Sequence, residues 1–340
     1  MLHLSRRVIF HCLTAAVTLA VTPAPAADAI KVGVLRFVSS GGLFLAQERG
    51  YFKDEGLEAE FIYFESAQPV SVAVASSDIS FGVTAITGGT LNLAGKGAVK
   101  MIASQGAERK GFKGNALIVS NAAFARGVTG FDKLGGTSFA ITQVGSSQHY
   151  MIGQIAAAEN FDFATVDLKP LQSIPNMLAA VKSGQVDATL APAQFAKPMA
   201  ERGEAKMLGY FSEVADYQYG AVFTSPKLIA ENAGLAQRFV NAYQKGNADY
   251  ARAFLRLDAK GEAVTDDATR EAAALIGKYV YPSDTAETAA PKITAAAVFV
   301  DAKAALDPAE IDRQIAWYKK EKLVGDKVDS KDFIITTFAR

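Results

Sequence analysis

One cysteine and three histidines occur in 340 residues, and the cysteine, Cys12, lies beside His11 near the start of the chain. The first residues read as a leader: Arg6 and Arg7 precede the apolar run VIFHCLTAAVTLAV, and TPAPAADA follows, with Ala24 and Ala26 forming a small-x-small cleavage signal. The run is short and rich in alanine and threonine, and Pro23 and Pro25 close it, so it fits a cleaved signal peptide over residues 1–26 better than a membrane anchor. Its removal leaves a chain with no cysteine, which excludes a disulfide and a thiol nucleophile. His3 and His11 leave with it. His149 then stands alone, which excludes a multi-histidine metal site, and no calcium loop of the D-x-[DN]-x-[DN]-G type is visible. No cofactor or metal is expected.

Charge of one sign is lacking as well. Lys plus Arg and Asp plus Glu each number 35, and loss of Arg6 and Arg7 tips the balance slightly to the acidic side. No basic stripe suggests nucleic acid or a membrane surface, and no second apolar run is long enough to span a bilayer. About 314 of the 340 residues remain after the leader, enough for two lobes of ordinary domain size.

What is present is a repeat. VSSGG (38–42) aligns with GSSQH (145–149) under a shift of 107, and the same shift lays AVASSDISF (73–81) on AVKSGQVDA (180–188). At 106, AVKMIA (98–103) meets EAKMLG (204–209), and at 105, ALIVS (116–120) meets AVFTS (221–225). Four matches in chain order with a slowly sliding offset record a duplicated half. Each half reads as strand, helix, strand, helix, strand: IKVGVLRF, EAEFIYF and ISFGV in the first, TSFAITQV, DLKPLQ and VDATLA in the second. That is the pattern of an α/β fold with a parallel-rich sheet and helices on both faces. Ligands of such sheets bind beyond the carboxyl ends of the strands, where both serine loops fall. From about residue 226 the patterning is helical, and the last helix has Asp307 as N-cap, Pro308 at its first position and Glu310 at its third.

The stretches LFLAQERGYFKDEGLEAEF (43–61), GFDKLGGTSFAI (130–141), SIPNMLAAVKSGQVDATLAPA (173–193) and VFTSPKLIAEN (222–232) resemble the periplasmic substrate-binding proteins of ABC importers, in the nitrate/sulfonate/taurine class. The resemblance covers nearly the whole chain after the leader. It implies a type II two-lobed binding protein, each lobe a parallel-rich sheet flanked by helices, with two crossover strands and a ligand enclosed between the lobes. The repeat nominates ALIVS and AVFTS as those crossovers. Lobe one is then expected over 27–117 plus 222–340, with the C-terminal helices returning to it, and lobe two over 118–221. Ser80 departs from the family pattern, in which that turn often carries aspartate, as Asp187 does in the second half.

GSSQHY (145–150) follows the strand SFAIT and opens the helix HYMIGQIAAAEN, which makes Ser146 or Ser147 the expected N-cap. The unpaired N–H groups of the first turn and the positive end of the helix dipole would then face the cleft and hold an anion or a carbonyl oxygen. By the repeat, Ser39 and Ser40 do the same from the other lobe. A Ser/His catalytic pair would need a carboxylate to orient His149; the neighbouring residues offer none and G-x-S-x-G is absent, so no enzyme is expected. Strand ends add Thr84, Gln105 and Gln194, with Tyr150, Phe195 and Tyr219 as surfaces on which a flat ligand could stack. Ser39, Ser40, Thr84, Gln105, Ser146, Ser147, His149, Tyr150, Gln194, Phe195 and Tyr219 form the expected binding set, and Arg36 and Lys197 are the nearest counter-ions. The expected function is capture of a small organic anion (a sulfonate, carboxylate or aromatic acid) in the periplasm, by a monomer that delivers it to an ABC permease in the inner membrane. Two alternatives stand beside it: a pyrimidine-forming enzyme of thiamine-precursor synthesis on the same fold, and a ligand sensor for a receptor kinase.

Overall fold

The computed structural model describes residues 26–259 and 263–339, so the expected signal peptide with Cys12 lies, but for its last residue, outside the described residues. The first half runs β1 (Asp28–Val34), α1 (Gly41–Glu48), α2 (Tyr51–Asp54), β2 (Leu57–Tyr63), α3 (Ala67–Ala75), β3 (Phe81–Ala85), α4 (Gly88–Gly95) and β4 (Lys100–Ser104). A short strand β5 (Ala107–Glu108) leads to β6 (Asn115–Val119). The second half then follows as α5 (Asn121–Ala125), β7 (Ser138–Ile141), α6 (Ser147–Ala158), β8 (Asp167–Pro170), α7 (Ile174–Ser183), β9 (Ala188–Pro192), α8 (Ala193–Glu201) and β10 (Lys206–Tyr210). β11 (Tyr217–Gln218) and β12 (Gly220–Thr224) precede four helices, α9 (Pro226–Phe254), α10 (Asp267–Val280), α11 (Ala286–Ala295) and α12 (Pro308–Lys320).

Two five-stranded sheets result, ordered β2-β1-β3-β12-β4 and β8-β7-β9-β6-β10. β1 is parallel to β2 and β3, and β12 is antiparallel to β3 and β4. β7, β8, β9, β6 and β10 repeat that arrangement strand for strand. Each sheet is therefore parallel apart from one strand, and that strand comes from the other half of the chain. The element boundaries carry the offsets read from the sequence: β3 and β9 begin at Phe81 and Ala188, β4 and β10 at Lys100 and Lys206, β6 and β12 at Asn115 and Gly220. The departure at Ser80 keeps the same turn contact with a weaker partner. Asp187 accepts from the N–H and hydroxyl of Ser138 at 3.0 Å, whereas the Ser80 hydroxyl accepts from the N–H of the equivalent Lys31 at 3.3 Å.

The expected lobe boundaries shift. ALIVS and AVFTS do change lobes, but as β6 and β12 they pair on both sides inside the receiving sheets. The passages between lobes are β5 and β11, which pair antiparallel with Tyr217 opposite Glu108 and Gln218 opposite Ala107. Junctions expected near 117 and 222 thus lie at 107–108 and 217–218, because a strand hydrogen-bonded to two neighbours belongs to their sheet.

Helices α9 and α10 pack on α1 of the first lobe, and α11 packs on α10 while also touching α8 of the second. α1 and α9 approach closely because glycines face one another, so that a Cβ on Gly246 would fall 2.0 Å from the Gly42 carbonyl oxygen. Below them Phe239 stacks on Phe81 with ring centroids 4.0 Å apart and on Phe52 at 5.4 Å. α12 departs from the expectation by straddling both lobes. It starts with Asp307 capping the Glu310 N–H, packs on α4 of the first lobe, and sets Trp317 against Gly153 of α6, where a Cβ would lie 2.3 Å from the indole. Replacing Phe239 by alanine removes the ring shared by both stacks and should destabilise the protein by about 3–5 kcal/mol, read from urea unfolding. A loss below about 1 kcal/mol would mean that this stack does not anchor α9.

Candidate ligand-binding cleft

The carboxyl ends of the central strands in both sheets face one cavity between the lobes, and the helices that follow them start at its wall. α3, α4, α6, α7 and α8 begin there, behind Ser66, Thr87, Ser146, Ser173 and Pro192, whereas α1 follows directly on the 3₁₀ turn Val38–Ser40, of which Val38 and Ser39 reach the wall. These five bring the positive ends of their dipoles to the wall, together with first-turn N–H groups of which some are already taken, Gly88 by the Gly145 carbonyl, Ala193 by the Gly114 carbonyl and Thr90 by the Thr87 hydroxyl. No lysine or arginine is among the described residues lining the cavity, and its one charged lining side chain is Glu65. Arg36 is occupied elsewhere: its guanidinium lies 3.5 Å from the Tyr63 ring centre and donates to the Tyr279 carbonyl at 2.7 Å. Lys197 also stays off the wall.

Side-chain amides line the rest, and their hydrogen bonds fix which atom each one shows to the cavity. The Thr87 hydroxyl donates to Gln68 Oε1 at 2.6 Å, and the Thr142 hydroxyl donates to Gln148 Oε1 at 3.3 Å, so both glutamines present Nε2, a donor. Gln105 is turned the other way, its Nε2 donating to Ser40 Oγ at 3.1 Å. Gln194 is committed at both ends across the lobes: Oε1 accepts from the Val38 N–H at 2.7 Å and Nε2 donates to the Arg36 carbonyl at 3.1 Å. Three further bonds join the lobes, from the Gly88 N–H to the Gly145 carbonyl at 2.8 Å, from the Tyr318 hydroxyl to the Ser146 carbonyl at 3.0 Å, and from the Tyr281 hydroxyl to the Gln194 carbonyl at 3.2 Å.

Seven residues of the expected binding set line the cavity: Ser39, Thr84, Gln105, Ser146, Ser147, Gln194 and Tyr219. Ser146 is the N-cap of α6, in extended backbone, its hydroxyl accepting from the His149 N–H at 3.4 Å. Four residues lie behind the wall. Ser40 precedes α1 without a side-chain cap, because Val38–Ser40 already form a 3₁₀ turn, and its hydroxyl serves Gln105 instead. His149 turns away from the cleft, with Nδ1 accepting from the Gly145 N–H at 2.9 Å and its ring edge-on to Trp317 at 5.4 Å. Tyr150 packs against Tyr217 at 4.8 Å, and Phe195 meets Phe37 of the other lobe edge to face at 5.5 Å. Sequence reasoning missed Gln68, Gln148 and Asn115. Gln148 sits inside the GSSQHY loop, one residue past the predicted cap, whereas Gln68 is replaced by Pro175 in the second half and so left no repeat signal.

Two sheets of this strand order, an exchanged antiparallel strand in each and a cleft at their carboxyl ends define the periplasmic-binding-protein fold. The chain belongs to the NMT1/THI5-like family, which it matches over residues 38–253. Similar structures include the ligand-binding component of an ABC-type import system from Staphylococcus aureus (TM-score 0.71, 14% identity, 92% of this chain and 98% of that one). Others are the alkanesulfonate-binding protein SsuA from Xanthomonas axonopodis pv. citri bound to MOPS (0.70, 15%, 92% and 99%) and the periplasmic aliphatic sulphonate binding protein SsuA from Escherichia coli (0.68, 16%, 91% and 92%). No curated protein sequence matches significantly.

Burial drives the His149 imidazole down from 6.5 to about 4, so it is neutral near pH 7. The unfolded chain therefore takes up this proton first on acidification. The contribution of His149 to stability is present above about pH 6.5 and lost as the pH falls towards about 4. In His149→Asn the amide oxygen can still accept from Gly145 but does not titrate. Urea titrations should show the wild-type protein losing stability relative to this variant over that interval; a constant difference would mean the histidine is charged or hydrated in the folded state.

Proposed function

We propose that the protein is a periplasmic solute-binding protein: it closes on a small organic anion and presents it, as a monomer without a cofactor, to an ABC permease. The observation that supports this most is the convergence of five helix starts and the outward-facing Nε2 groups of Gln68 and Gln148 on a cavity whose described lining has no cationic side chain. Fixed N–H dipoles favour a singly charged oxyanion, a carboxylate or a sulfonate, over cations. A multiply charged anion would lack a counter-ion here. Of the similar structures named above, one is the ligand-binding component of an ABC-type import system and two are sulfonate-binding proteins, and the leader read from the sequence suits export. A synthase reading gains less support, since His149 is held neutral behind the wall and hydrogen-bonded to Gly145.

A thermal-shift screen of carboxylates and sulfonates tests the reading directly, because a ligand at a hundred times its dissociation constant stabilises by about 2.7 kcal/mol. Gln148→Glu then tests the charge preference. Glutamate keeps the oxygen that accepts from Thr142 and replaces the presented donor by a second oxygen. Affinity for any acid found in the screen should fall at least tenfold, about 1.4 kcal/mol, with the melting of the free protein unchanged. An unaltered dissociation constant in calorimetry would remove Gln148 from the site, and tighter binding would mean a cationic ligand.

A further inference from the structure

At the hinge, the geometry points to Glu108 as a positioning residue that makes Asn115 a hydrogen-bond acceptor for the ligand, so that the cleft selects acids carrying a donor group remote from the acid. This rests on reading the cleft as a site for small acids. Glu108 is 1% exposed, on the hinge strand β5. One carboxyl oxygen, Oε1, accepts from both the backbone N–H of Asn115 at 2.9 Å and its side-chain Nδ2 at 2.7 Å. The other oxygen, Oε2, has no hydrogen-bond partner among the described residues and lies under Gly114, where a Cβ would stand 1.8 Å from it. The carboxyl can sit directly beneath the cavity wall because the wall is a glycine there.

With Nδ2 committed to Glu108, Asn115 shows the cavity its Oδ1, an acceptor. Gln105, close by in the chain and tied through Nε2 to Ser40, likewise turns out its Oε1. Gln68 and Gln148, on α3 and α6, are wired in the opposite sense. The cavity therefore has a donor end at the helix starts and an acceptor end at the hinge. An acid docked on the helices extends its far end towards Asn115, and a ligand without a donor there leaves an acceptor unsatisfied. Sites built to pair a donor discriminate strongly against analogues that lack it.

The groups facing Glu108 do not compensate a charge. Tyr217 stands opposite it on β11, Tyr219 lies near between β11 and β12, and Arg109 donates to the backbone carbonyl of Glu108 at 3.0 Å, not to its carboxyl. Burial raises the carboxyl from 4.5 to about 7. Its neutral form still offers an acceptor oxygen to Asn115, as a glutamine would.

The test uses matched probes on the purified protein at neutral pH: benzoate against para-aminobenzoate, and propanesulfonate against homotaurine, titrated by calorimetry. The amino member of at least one pair should bind the wild-type protein at least tenfold more tightly. Glu108→Ala and Asn115→Ala should abolish that preference, and Glu108→Gln should keep it. Asn115→Ala removes the same acceptor while leaving Glu108 in place with its bond from the backbone N–H of residue 115, so a misfolded Glu108→Ala does not decide the matter. A raised carboxyl stabilises the fold fully below about pH 4.5 and loses that contribution as the pH rises through about 7; Glu108→Gln should remove this fall, which a change in packing alone would not. Equal affinities within both pairs, or a preference surviving Asn115→Ala, would overturn the assignment alone. Binding of none of the four probes to the wild-type protein would overturn the small-acid reading and the assignment together.

Discussion

Each half of the duplicated chain gives its last strand to the sheet of the other, and the rest of the molecule depends on that exchange. β6 lies between β9 and β10, and β12 between β3 and β4, so neither sheet is complete from its own half. The two passages between lobes must therefore run side by side, and they do so as the β5–β11 ribbon. A hinge this short limits the lobes to rotation about one edge, with the strand ends, helix starts and cavity on one side. The duplication accounts for the equivalent faces that meet across the cleft: whatever lies at the carboxyl end of β1 and β3 has a counterpart beyond β7 and β9.

The electrostatic design of the cavity follows from the same topology. Helices that open at strand ends bring first-turn N–H groups and positive dipole ends to a wall whose described lining has no cationic side chain. A lysine or arginine in a closed cleft carries a desolvation penalty when the lobes shut, whereas a backbone dipole is already part of the fold. The hydroxyls of Thr87 and Thr142 hold Gln68 and Gln148 in one orientation, and Ser40 holds Gln105 in the other. These second partners set the polarity of an amide that could otherwise flip at little cost, so the recognition pattern is encoded behind the wall as much as on it.

The repeat was legible because it is carried by the chain order of short matches, and the offsets of 107, 106 and 105 reappear in the boundaries of β3, β4 and β6 against their partners. Ser146 was legible as an N-cap because capping is decided within one helical turn. His149 and Tyr150, in the same quoted loop, were not. Three and four residues past the cap they point to the far side of α6, where Trp317 and Tyr318 arrive from another part of the chain and cover them. Phe195 was placed in the cleft by its strand-end position, yet Phe37 of the opposite lobe takes its ring. The crossover boundaries slipped for a related reason: apolar β-rich runs mark where strands are, whereas the partner sheet is a property of pairing. Amide orientation at Gln68, Gln148 and Asn115 has no local signal, since each is set by a hydrogen bond to a partner on another element or across a turn.

Gln194 shows how closure can stay reversible. Its carboxamide satisfies the Val38 N–H and the Arg36 carbonyl, and its own carbonyl takes the Tyr281 hydroxyl, so one residue at the start of α8 grips the first lobe at three points. With the Gly88–Gly145 and Tyr318–Ser146 bonds, the lobes share these five hydrogen bonds among the described residues. Every one of these groups would be hydrated if the cleft opened, so each bond adds only about 0.5–1.5 kcal/mol net. Against that sum stand the dehydration of a cavity lined with hydroxyls and amides and the loss of freedom between the lobes. The two quantities oppose one another, and a ligand that touches both α3 and α6 shifts the balance towards closure by as much as it binds the closed lobes better than the open ones. A site closed by stronger contacts would hold its lobes shut without cargo. Closure by one glutamine side chain, two tyrosine hydroxyls and backbone groups instead leaves the decision to whatever fills the space between Gln68, Gln148 and Asn115.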